Sequence, residues 1–394
     1  MDHNAYRTRL QSSLEHSEAF FPAEEFDRRR SRVRKAMSAR GLDALLLTNP
    51  AEINYLTGYT TFEVSVHTAL VFRHDHCLLQ VPSIETGPAV TTAQVDEIIG
   101  YRWEAIQNVT DPIAEALSGC PRIGFDPWSG SLRPGVLDAL RQRLGAECFE
   151  EAASLMADVR LVKTDAELQC LRESARMTQS GLEAGIKAIK PGATENDVAA
   201  AGSRALLGAG SEFMSLQPIV VSGPRSSVIH LNHQNRRIEP GDSVFLEFGA
   251  VSRRYTAPMM RTAVAGEPSD DMIRMRDSCR AIHDALISAM KPGNRFDDAA
   301  RAAEQALAPV ADEVFFSGVF GYAVGTTFPP SWVEGTGFIA RGEQRRFESG
   351  MVFHLPLCLR IPGRWGMGMS NTVVVGDTGS APLTHNDWQL PACY

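Results

Sequence analysis

The sequence has no long apolar run, no paired cysteines and no excess of positive charge. No stretch approaches the roughly 18 apolar residues that span a bilayer, and the N-terminal residues contain no apolar segment of signal-peptide length. The 394 residues carry a formal net charge of −8, which argues against nucleic acid as a partner. We therefore expect a cytoplasmic protein that binds neither membranes nor nucleic acid.

The seven cysteines are scattered, without CxxC pairs and without a histidine at the spacing of a zinc site. Neither a disulfide framework nor a structural metal is predicted, and the thiols fit a reducing compartment. The composition, with 44% hydrophobic and 22% charged residues, is that of an ordinary globular protein. Because 394 residues exceed what one compact core usually holds, two domains are expected.

Short apolar runs and amphipathic stretches alternate in the first 157 residues. Helices are predicted over 24–39, 112–117 and 136–144, and strands over 44–49, 68–73, 77–82, 98–103 and 122–126. This alternation is typical of an α/β domain. The pattern then changes to one long helical periodicity, so the predicted domains are residues 1–157 and 158–394.

The second domain contains an internal repeat. KPGATENDVAAAGSRAL from Lys190 and KPGNRFDDAARAAEQAL from Lys291 each place Lys-Pro-Gly between two helical patterns, and a strand follows in each copy, PGDSVFLEF and SGMVFHLPL. Two such units are predicted to pair their strands into one sheet with the helices on the other face. The seam between them would form a cleft with Glu247 opposite residues 354–356.

Glu247 interrupts the apolar run VFLEF, where an unpaired carboxylate is costly to bury. Two interpretations stay open. Glu247 is either a core residue paired with Arg254 or Arg261, or a carboxylate kept for chemistry as a nucleophile or a base.

Several ordered markers resemble the creatinase, prolidase and methionine aminopeptidase superfamily, which has the pita-bread fold. They are NYLTGY (54–59), SGPRSSVIHLNHQNRRIEPGD (222–242), EFGAVSRRYTAPMMRT, GYAVG (321–325) and SGMVFHLP. The resemblance covers nearly the whole chain. It implies an α/β (α+β) protein with a creatinase-type N-terminal α/β domain and a pseudo-symmetric C-terminal pita-bread domain. By the same analogy we expect a homodimer in which the first domain of one subunit closes the active site of its partner.

In the metallopeptidase branch of this superfamily, two metal ions are held by five residues. The corresponding positions here read Glu247, Pro258, Tyr322, Pro356 and Asn371. One carboxylate, one phenol and two prolines cannot offset the charge or fill the coordination of two divalent metals. We therefore predict no metal and no other cofactor, and we do not expect a metal-dependent Xaa-Pro peptidase.

The sequence is more similar to the metal-free members, which cleave C–N bonds in small non-peptide molecules. It resembles ectoine hydrolases in the strand glutamate, in RYxAPM (254–259), GYxxG (321–325) and PPxW (329–332). In that family the strand glutamate is implicated in the attack on a cyclic amidine carbon. The resemblance to creatinase places a catalytic histidine at position 230.

The residues expected to carry catalysis are Glu247 as nucleophile or base, His230 as proton shuttle and Tyr322 as an orienting donor. His233 stays open between a catalytic and a structural role. Substrate binding is predicted for six further residues, Tyr255, Arg261, Trp332, Glu334, His354 and Asn371. Arg261 would pair with a substrate carboxylate, Glu334 would replace a lost counter-charge and Trp332 would stack on a delocalised cation.

These expectations predict a metal-independent hydrolase of a C–N bond in a small polar molecule, an ectoine-like cyclic amidine or a guanidino compound. Ectoine itself is in doubt, because ectoine hydrolases tend to carry His and Asp where Thr256 and Ser331 stand. If neither Glu334 nor Trp332 balances a cation, a lactam, cyclic imine or amide is favoured. Two alternatives stay open, a biosynthetic cyclase or lyase that uses the same glutamate, and a non-catalytic ligand-binding protein on a decayed enzyme scaffold.

Overall fold

The structure, a computed structural model, describes residues 2–14, 18–214 and 216–394. The chain divides into two compact units, Met1–Val159 and Arg160–Tyr394. The division falls inside a helix that the sequence pattern did not predict, Ala153–Leu161. Within the described ranges, no helix is both long enough and apolar enough to cross a membrane.

The first unit alternates helices and strands along the chain. Its helices are α1 (His3–Ser13), α2 (Ala23–Arg40), α3 (Pro50–Thr57), α4 (Thr86–Thr92), α5 (Thr110–Ala116), α6 (Pro134–Leu144) and α7 (Ala153–Leu161). Its strands are β1 (Ala44–Leu47), β2 (Ala69–Arg73), β3 (Cys77–Pro82), β4 (Glu97–Tyr101), β5 (Ile123–Phe125) and β6 (Phe149–Glu151).

These six strands form one mixed sheet in the order β4-β3-β2-β1-β5-β6. Strands β1, β2 and β3 pair antiparallel, and the other pairs are parallel. Leu45 and Leu47 pack into the core with α2 and α3, whereas Ala44 and Leu46 join the opposite core with α5 and α6. Because both faces of the sheet are covered, its central strands are continuously apolar instead of alternating.

The second unit consists of two helix pairs and a larger set of strands. The helices are α8 (Asp165–Ala188), α9 (Glu195–Gly208), α10 (Asp270–Ala289) and α11 (Phe296–Leu307). The strands are β7 (Ile219–Ser222), β8 (Ser243–Phe248), β9 (Val251–Ser252), β10 (Tyr255–Thr256), β11 (Met259–Ala265), β12 (Gly321–Ala323), β13 (Phe338–Ile339), β14 (Val352–His354), β15 (Leu357–Ile361), β16 (Trp365–Met369), β17 (Thr372–Val375), β18 (Ser380–Pro382) and β19 (Ala392–Cys393).

The predicted helix repeat is confirmed. One Lys-Pro-Gly turn joins α8 to α9 and the other joins α10 to α11. Gly192 and Gly293 adopt φ angles of 88° and 90° at equivalent points of the two turns. This left-handed conformation is strained for residues with a Cβ atom, which explains why both copies carry glycine.

The prediction of one continuous sheet is wrong. The strands of the two halves form separate sheets, β19-β11-β8-β7 and β13-β12-β14-β17-β18, with β15-β16 as a two-stranded ribbon. Side-chain hydroxyls join the two halves, together with isolated backbone hydrogen bonds such as that from the Ser370 amide to the Met260 carbonyl at 3.3 Å. Thr262 Oγ1 donates to the Gly368 carbonyl at 3.0 Å and accepts from the Gly368 amide at 3.0 Å, and Thr372 Oγ1 donates to the Pro258 carbonyl at 2.7 Å.

Candidate active site

Glu247 lies on β8, an inner strand of the four-stranded sheet. Its cross-strand neighbours are Ile219 on β7 and Met260 on β11, and Phe245 occupies the same face two residues earlier. Only 3% of Glu247 is exposed. Burial raises the pKa of its carboxyl group to about 8, and within the described residues no hydrogen bond or ion pair reaches this group.

A hydrogen-bonded cluster lies beside Glu247. Strands β12 and β14 place Tyr322 directly opposite His354. The Tyr322 hydroxyl lies 2.8 Å from His354 Nδ1 and accepts from Trp332 Nε1 at 2.8 Å. On the other side of the imidazole, His354 Nε2 lies 2.7 Å from Ser370 Oγ. The tyrosine, the histidine and the tryptophan that the sequence predicted as site residues are therefore brought together.

Electrostatics connect this cluster to Glu247. Burial and the nearby Glu247 charge raise the pKa of Tyr322 well above its ordinary value. Burial lowers the pKa of His354 to about 3, so its imidazole is neutral at physiological pH. The site therefore presents a protonated phenol and a neutral imidazole beside an unpaired carboxyl group.

Cys358, Met260 and Ser370 also belong to this site, although the sequence did not single them out. Cys358 Sγ contacts Met260 Sδ at 3.4 Å, and burial together with the Glu247 charge raises the pKa of the Cys358 thiol well above its usual range. Ser370 Oγ accepts from the Met260 backbone amide at 2.6 Å. Their only sequence signal is that each lies within two residues of an aligned metal-ligand position.

The five aligned ligand positions do not fit a metal pair. Among them only Glu247 carries a carboxylate, and Pro258 offers only its backbone carbonyl, which already accepts from Thr372. In the part of the chain that the structure describes, no three His, Cys, Asp or Glu side chains converge on a possible metal site. The donor set thus lacks the charge and the ligand number that two hard divalent ions require.

Tyr255 and Arg261 lie away from Glu247. Tyr255 is fully buried, and its hydroxyl donates to Glu167 of α8 at 3.0 Å. Arg261 follows Met260 on β11, so its side chain points to the opposite face of the sheet, where it pairs with Asp387 at 2.7 Å. The predicted substrate-binding roles of Tyr255 and Arg261, and the pairing of Glu247 with Arg261, do not fit this placement.

Arg254 does not pair with Glu247 either. Its guanidinium group lies between two aromatic rings, 4.4 Å from the centroid of Phe213 and 4.0 Å from that of Phe328. A cation beside Glu247 would lower the pKa of its carboxyl group, but burial is the only cause of the shift and it raises this pKa. The interpretation of Glu247 as one half of a core ion pair is therefore wrong.

Glu334 does not supply a free counter-charge. Its carboxylate is almost fully buried and pairs with Lys163 Nζ at 2.6 Å and with Arg160 Nη2 at 3.2 Å. It also accepts from Thr336 Oγ1 at 2.9 Å. Two cations already balance this carboxylate, so the predicted role of Glu334 toward a cationic substrate is not available in this arrangement.

Asn371 is held by its neighbours instead of facing Glu247. Its Oδ1 atom accepts from Thr384 Oγ1 and from the Asn386 amide, both at 3.1 Å. Its Nδ2 atom lies 3.3 Å from His283 Nε2 on α10. The Asn371 amide therefore ties the junction of β16 and β17 to the segment that follows β18, and its predicted contact with substrate does not fit this placement.

His230 and His233 lie on the loop that follows β7. His230 is exposed, and no hydrogen bond between described residues joins it to the Glu247 cluster. The preceding residue, Ile229, has a φ of 67°, a strained conformation for a β-branched residue, within a tight turn closed by a 2.9 Å bond from the His230 amide to the Val228 carbonyl. His233 Nδ1 lies 2.5 Å from Asn196 Oδ1, which favours its structural role.

Comparison with known proteins gives the family. A family model described as metallopeptidase family M24 matches residues 169–377, and a model described as the creatinase/prolidase N-terminal domain matches residues 29–162. An uncharacterised hydrolase/peptidase of Sinorhizobium fredii is 29% identical over 386 residues, covering 94% of this chain and 97% of that protein. The ectoine hydrolase of Halomonas elongata is 24% identical over 396 residues, covering 94% of this chain and 98% of that protein.

The same comparison identifies peptidases as relatives. A Xaa-Pro dipeptidase of Pyrococcus furiosus is 22% identical over 356 residues, with 90% of this chain and 97% of that protein covered. The crystal structure of the prolidase from Pyrococcus horikoshii superposes with a TM-score of 0.80 at 21% identity, covering 92% of this chain and all of that one. The predicted fold class is confirmed, and the chain belongs to metallopeptidase family M24, in the creatinase/prolidase superfamily of pita-bread hydrolases.

Proposed function

We propose that this protein is a metal-independent hydrolase that cleaves a non-peptide C–N bond in a small polar molecule. The observation that supports this most directly is Glu247, the one carboxylate among the five aligned ligand positions, which is buried beside the Tyr322 hydroxyl with no ionic partner among the described residues. A carboxylate in this environment either attacks an electrophilic carbon or takes a proton from an attacking water molecule.

The environment of Glu247 suits both roles. Because burial raises its pKa to about 8, the group exchanges its proton near physiological pH, where a general base is most effective. Tyr322 keeps its own proton and is available to orient a substrate atom. The proton-shuttle role of His230 stays a prediction, as does the homodimer, and neither one is needed for the proposed part of Glu247.

The substrate class follows from charge. Similarity to the ectoine hydrolase of Halomonas elongata is compatible with a cyclic amidine. A cationic amidine needs counter-charge, but the Glu334 carboxylate expected to supply it is already balanced by Arg160 and Lys163. A less cationic C–N compound, a lactam, cyclic imine or amide, therefore fits this site better than a guanidino compound.

Replacing Glu247 tests this proposal. The wild-type protein would first be screened by thermal shift against ectoine, creatine, guanidino acids, lactams, cyclic imines and proline dipeptides, because a bound ligand raises the melting temperature. With the compound that is turned over, we expect Glu247→Gln to lower kcat by at least about 100-fold while binding persists. Glu239→Gln, at an exposed carboxylate eight residues earlier, is the matched control and should keep full turnover. Unchanged turnover in Glu247→Gln would contradict the proposal and favour a ligand-binding protein.

Metal dependence has a separate test. Elemental analysis of the purified active protein should find no stoichiometric transition metal, and kcat/KM should survive prolonged treatment with a chelator. Stoichiometric metal together with activity that is lost on chelation and restored by metal would overturn the metal-independent mechanism and favour a metallopeptidase.

A further inference from the structure

A chain of hydrogen bonds runs from the backbone of β11 to Tyr322. It begins at the Met260 amide, which donates to Ser370 Oγ at 2.6 Å, and continues through His354 to the Tyr322 hydroxyl at distances of 2.7 and 2.8 Å. Trp332 Nε1 donates to the same hydroxyl at 2.8 Å. His354 and Ser370 are fully buried, so the direction of their hydrogen bonds depends on the donors and acceptors of this hydrogen-bond chain and not on bulk water.

The two ends of this chain have only one possible polarity. A backbone amide can only donate, and so can an indole N–H. Ser370 Oγ therefore accepts from Met260, and Tyr322 Oη accepts from Trp332. The neutral imidazole of His354 carries one ring proton, which leaves two arrangements of the middle of the chain.

One of these arrangements leaves a buried proton without an acceptor. If His354 carried its proton on Nε2, it would donate to Ser370 Oγ, and the Ser370 hydroxyl proton would then have no acceptor among the described residues. A buried, unsatisfied hydroxyl proton is disfavoured. With the proton on Nδ1, Ser370 donates to Nε2 and His354 donates to the Tyr322 oxygen. The hydroxyl proton left over in this arrangement is that of Tyr322, which is partly exposed, whereas Ser370 is fully buried, so this arrangement is favoured.

The second arrangement determines what Tyr322 can do. Its oxygen accepts from both His354 and Trp332, so both of its lone pairs are in use. The Tyr322 hydroxyl proton then has no acceptor among the described residues. No hydrogen bond joins Tyr322 to Glu247 in the described structure, although the Glu247 charge acts on Tyr322, so the Tyr322 proton is not engaged by that carboxyl group.

We propose that Ser370 and His354 hold Tyr322 as an obligate hydrogen-bond donor, so that this site takes a substrate that presents a carbonyl oxygen, a lactam or cyclic amide, in preference to an amidinium cation. This inference rests on the proposed C–N hydrolase function and narrows its substrate class. An amidinium group presents N–H donors on both nitrogens, and a donor facing the Tyr322 O–H is repelled. A carbonyl oxygen accepts from it.

The same geometry assists the addition step. When a nucleophile forms a bond to the carbonyl carbon, the π pair of the C=O bond moves onto oxygen, and the Tyr322 O–H stabilises the resulting oxyanion without giving up its proton. The high pKa of Tyr322 agrees with a phenol that keeps its proton. His354 acts through Tyr322 and is therefore a positioning residue.

The His354 tautomer can be measured directly in the wild-type protein. Long-range ¹H–¹⁵N correlation spectra of the histidine side chains distinguish Nδ1–H from Nε2–H, and the His354 signals are assigned by their absence in His354→Gln. We expect the Nδ1–H form. An Nε2–H form in the wild-type protein would overturn the proposal, whatever the activity of the enzyme.

Ligand selectivity provides the second test. The two probes are 2-pyrrolidinone and 2-iminopyrrolidine, which have the same five-membered ring. The first carries a carbonyl group where the second, when protonated, carries C=NH₂⁺. Titration at pH 7 should show Tyr322→Phe weakening the binding of 2-pyrrolidinone about tenfold while that of 2-iminopyrrolidine stays unchanged or improves. Ser370→Ala, which frees the imidazole to change tautomer, should shift selectivity in the same direction with a smaller amplitude.

An equal loss for both probes, or a loss for the cation alone, would overturn the proposal. Failure of the Glu247→Gln turnover test, with selectivity as expected, would instead remove the hydrolase function.

Discussion

At the scale of single residues, the fold acts on Glu247 by withdrawing it from water. The unfolded chain releases the proton of this carboxyl group near pH 4.5, whereas the folded protein retains it up to about pH 8. The sequence predicted an unusual carboxylate because VFLEF is otherwise apolar. It could not show that Arg254 and Arg261 are engaged elsewhere, because their side-chain directions depend on strand register and packing.

This burial predicts a pH dependence of stability. A group whose folded pKa is raised stabilises the folded state at low pH and loses that contribution as the pH rises, here between about 4.5 and 8. We therefore expect the free energy of unfolding of the wild-type protein to fall relative to that of Glu247→Gln by up to about 1.4 kcal/mol for each pH unit in this window. Urea denaturation of both proteins at pH 5, 6, 7 and 8 measures the difference. A difference that does not vary with pH would show that Glu247 is ionised in the folded protein.

At the scale of secondary-structure elements, glycines allow the helices to lie against the strand that carries Glu247. A methyl group at Gly202 of α9 would overlap the ring of Phe248, and one at Gly185 of α8 would lie 2.8 Å from Leu246 Cδ2. The helices themselves were predictable from their apolar spacing and from the turn chemistry of both Lys-Pro-Gly segments. The separation of the strands into two sheets was not, because strand pairing depends on contacts between segments that lie far apart in the chain.

Gly202→Ala tests this contact. Overpacking against Phe248 should destabilise the protein by about 1–3 kcal/mol and displace β8, so kcat should fall as well. Gly208→Ala, at the exposed end of the same helix, is the matched control, because a methyl group there meets no atom within 4 Å. Chemical denaturation and turnover of both variants measure the effect. Equal stability of the two variants would mean that α9 moves away from β8 without cost.

At the scale of the whole molecule, a buried ion cluster ties distant parts of the second unit together. Arg160 and Lys163, near its beginning, bind Glu334, which lies 171 residues beyond Lys163. All three side chains are at most 2% exposed, so each charge depends on the others. The sequence did not reveal this cluster, because the partners of Glu334 lie far away in the chain and follow no periodic pattern. It therefore predicted Glu334 as a substrate ligand instead.

Glu334→Gln should therefore destabilise the protein by about 3–5 kcal/mol, since two buried cations lose their counter-charge. Lys163→Met in the same background removes one of these cations and should recover part of the loss. The measurement is the free energy of unfolding in a double-mutant cycle. A loss below about 1 kcal/mol, or no recovery in the double variant, would show that water or another group compensates for the missing carboxylate.

The sequence by itself determined the fold family, the two helix repeats and the replacement of metal ligands by Pro258, Tyr322, Pro356 and Asn371, because each of these is a matter of residue type at a recognisable spacing. Only the tertiary structure decided which polar side chains surround Glu247. Those side chains come from β12, β14, β15 and the residue that follows β16, and their directions follow from strand register, burial and the pairing of charges across the fold. Residue spacing along the chain carries no information about that register, so the chemistry of the site became visible only in three dimensions.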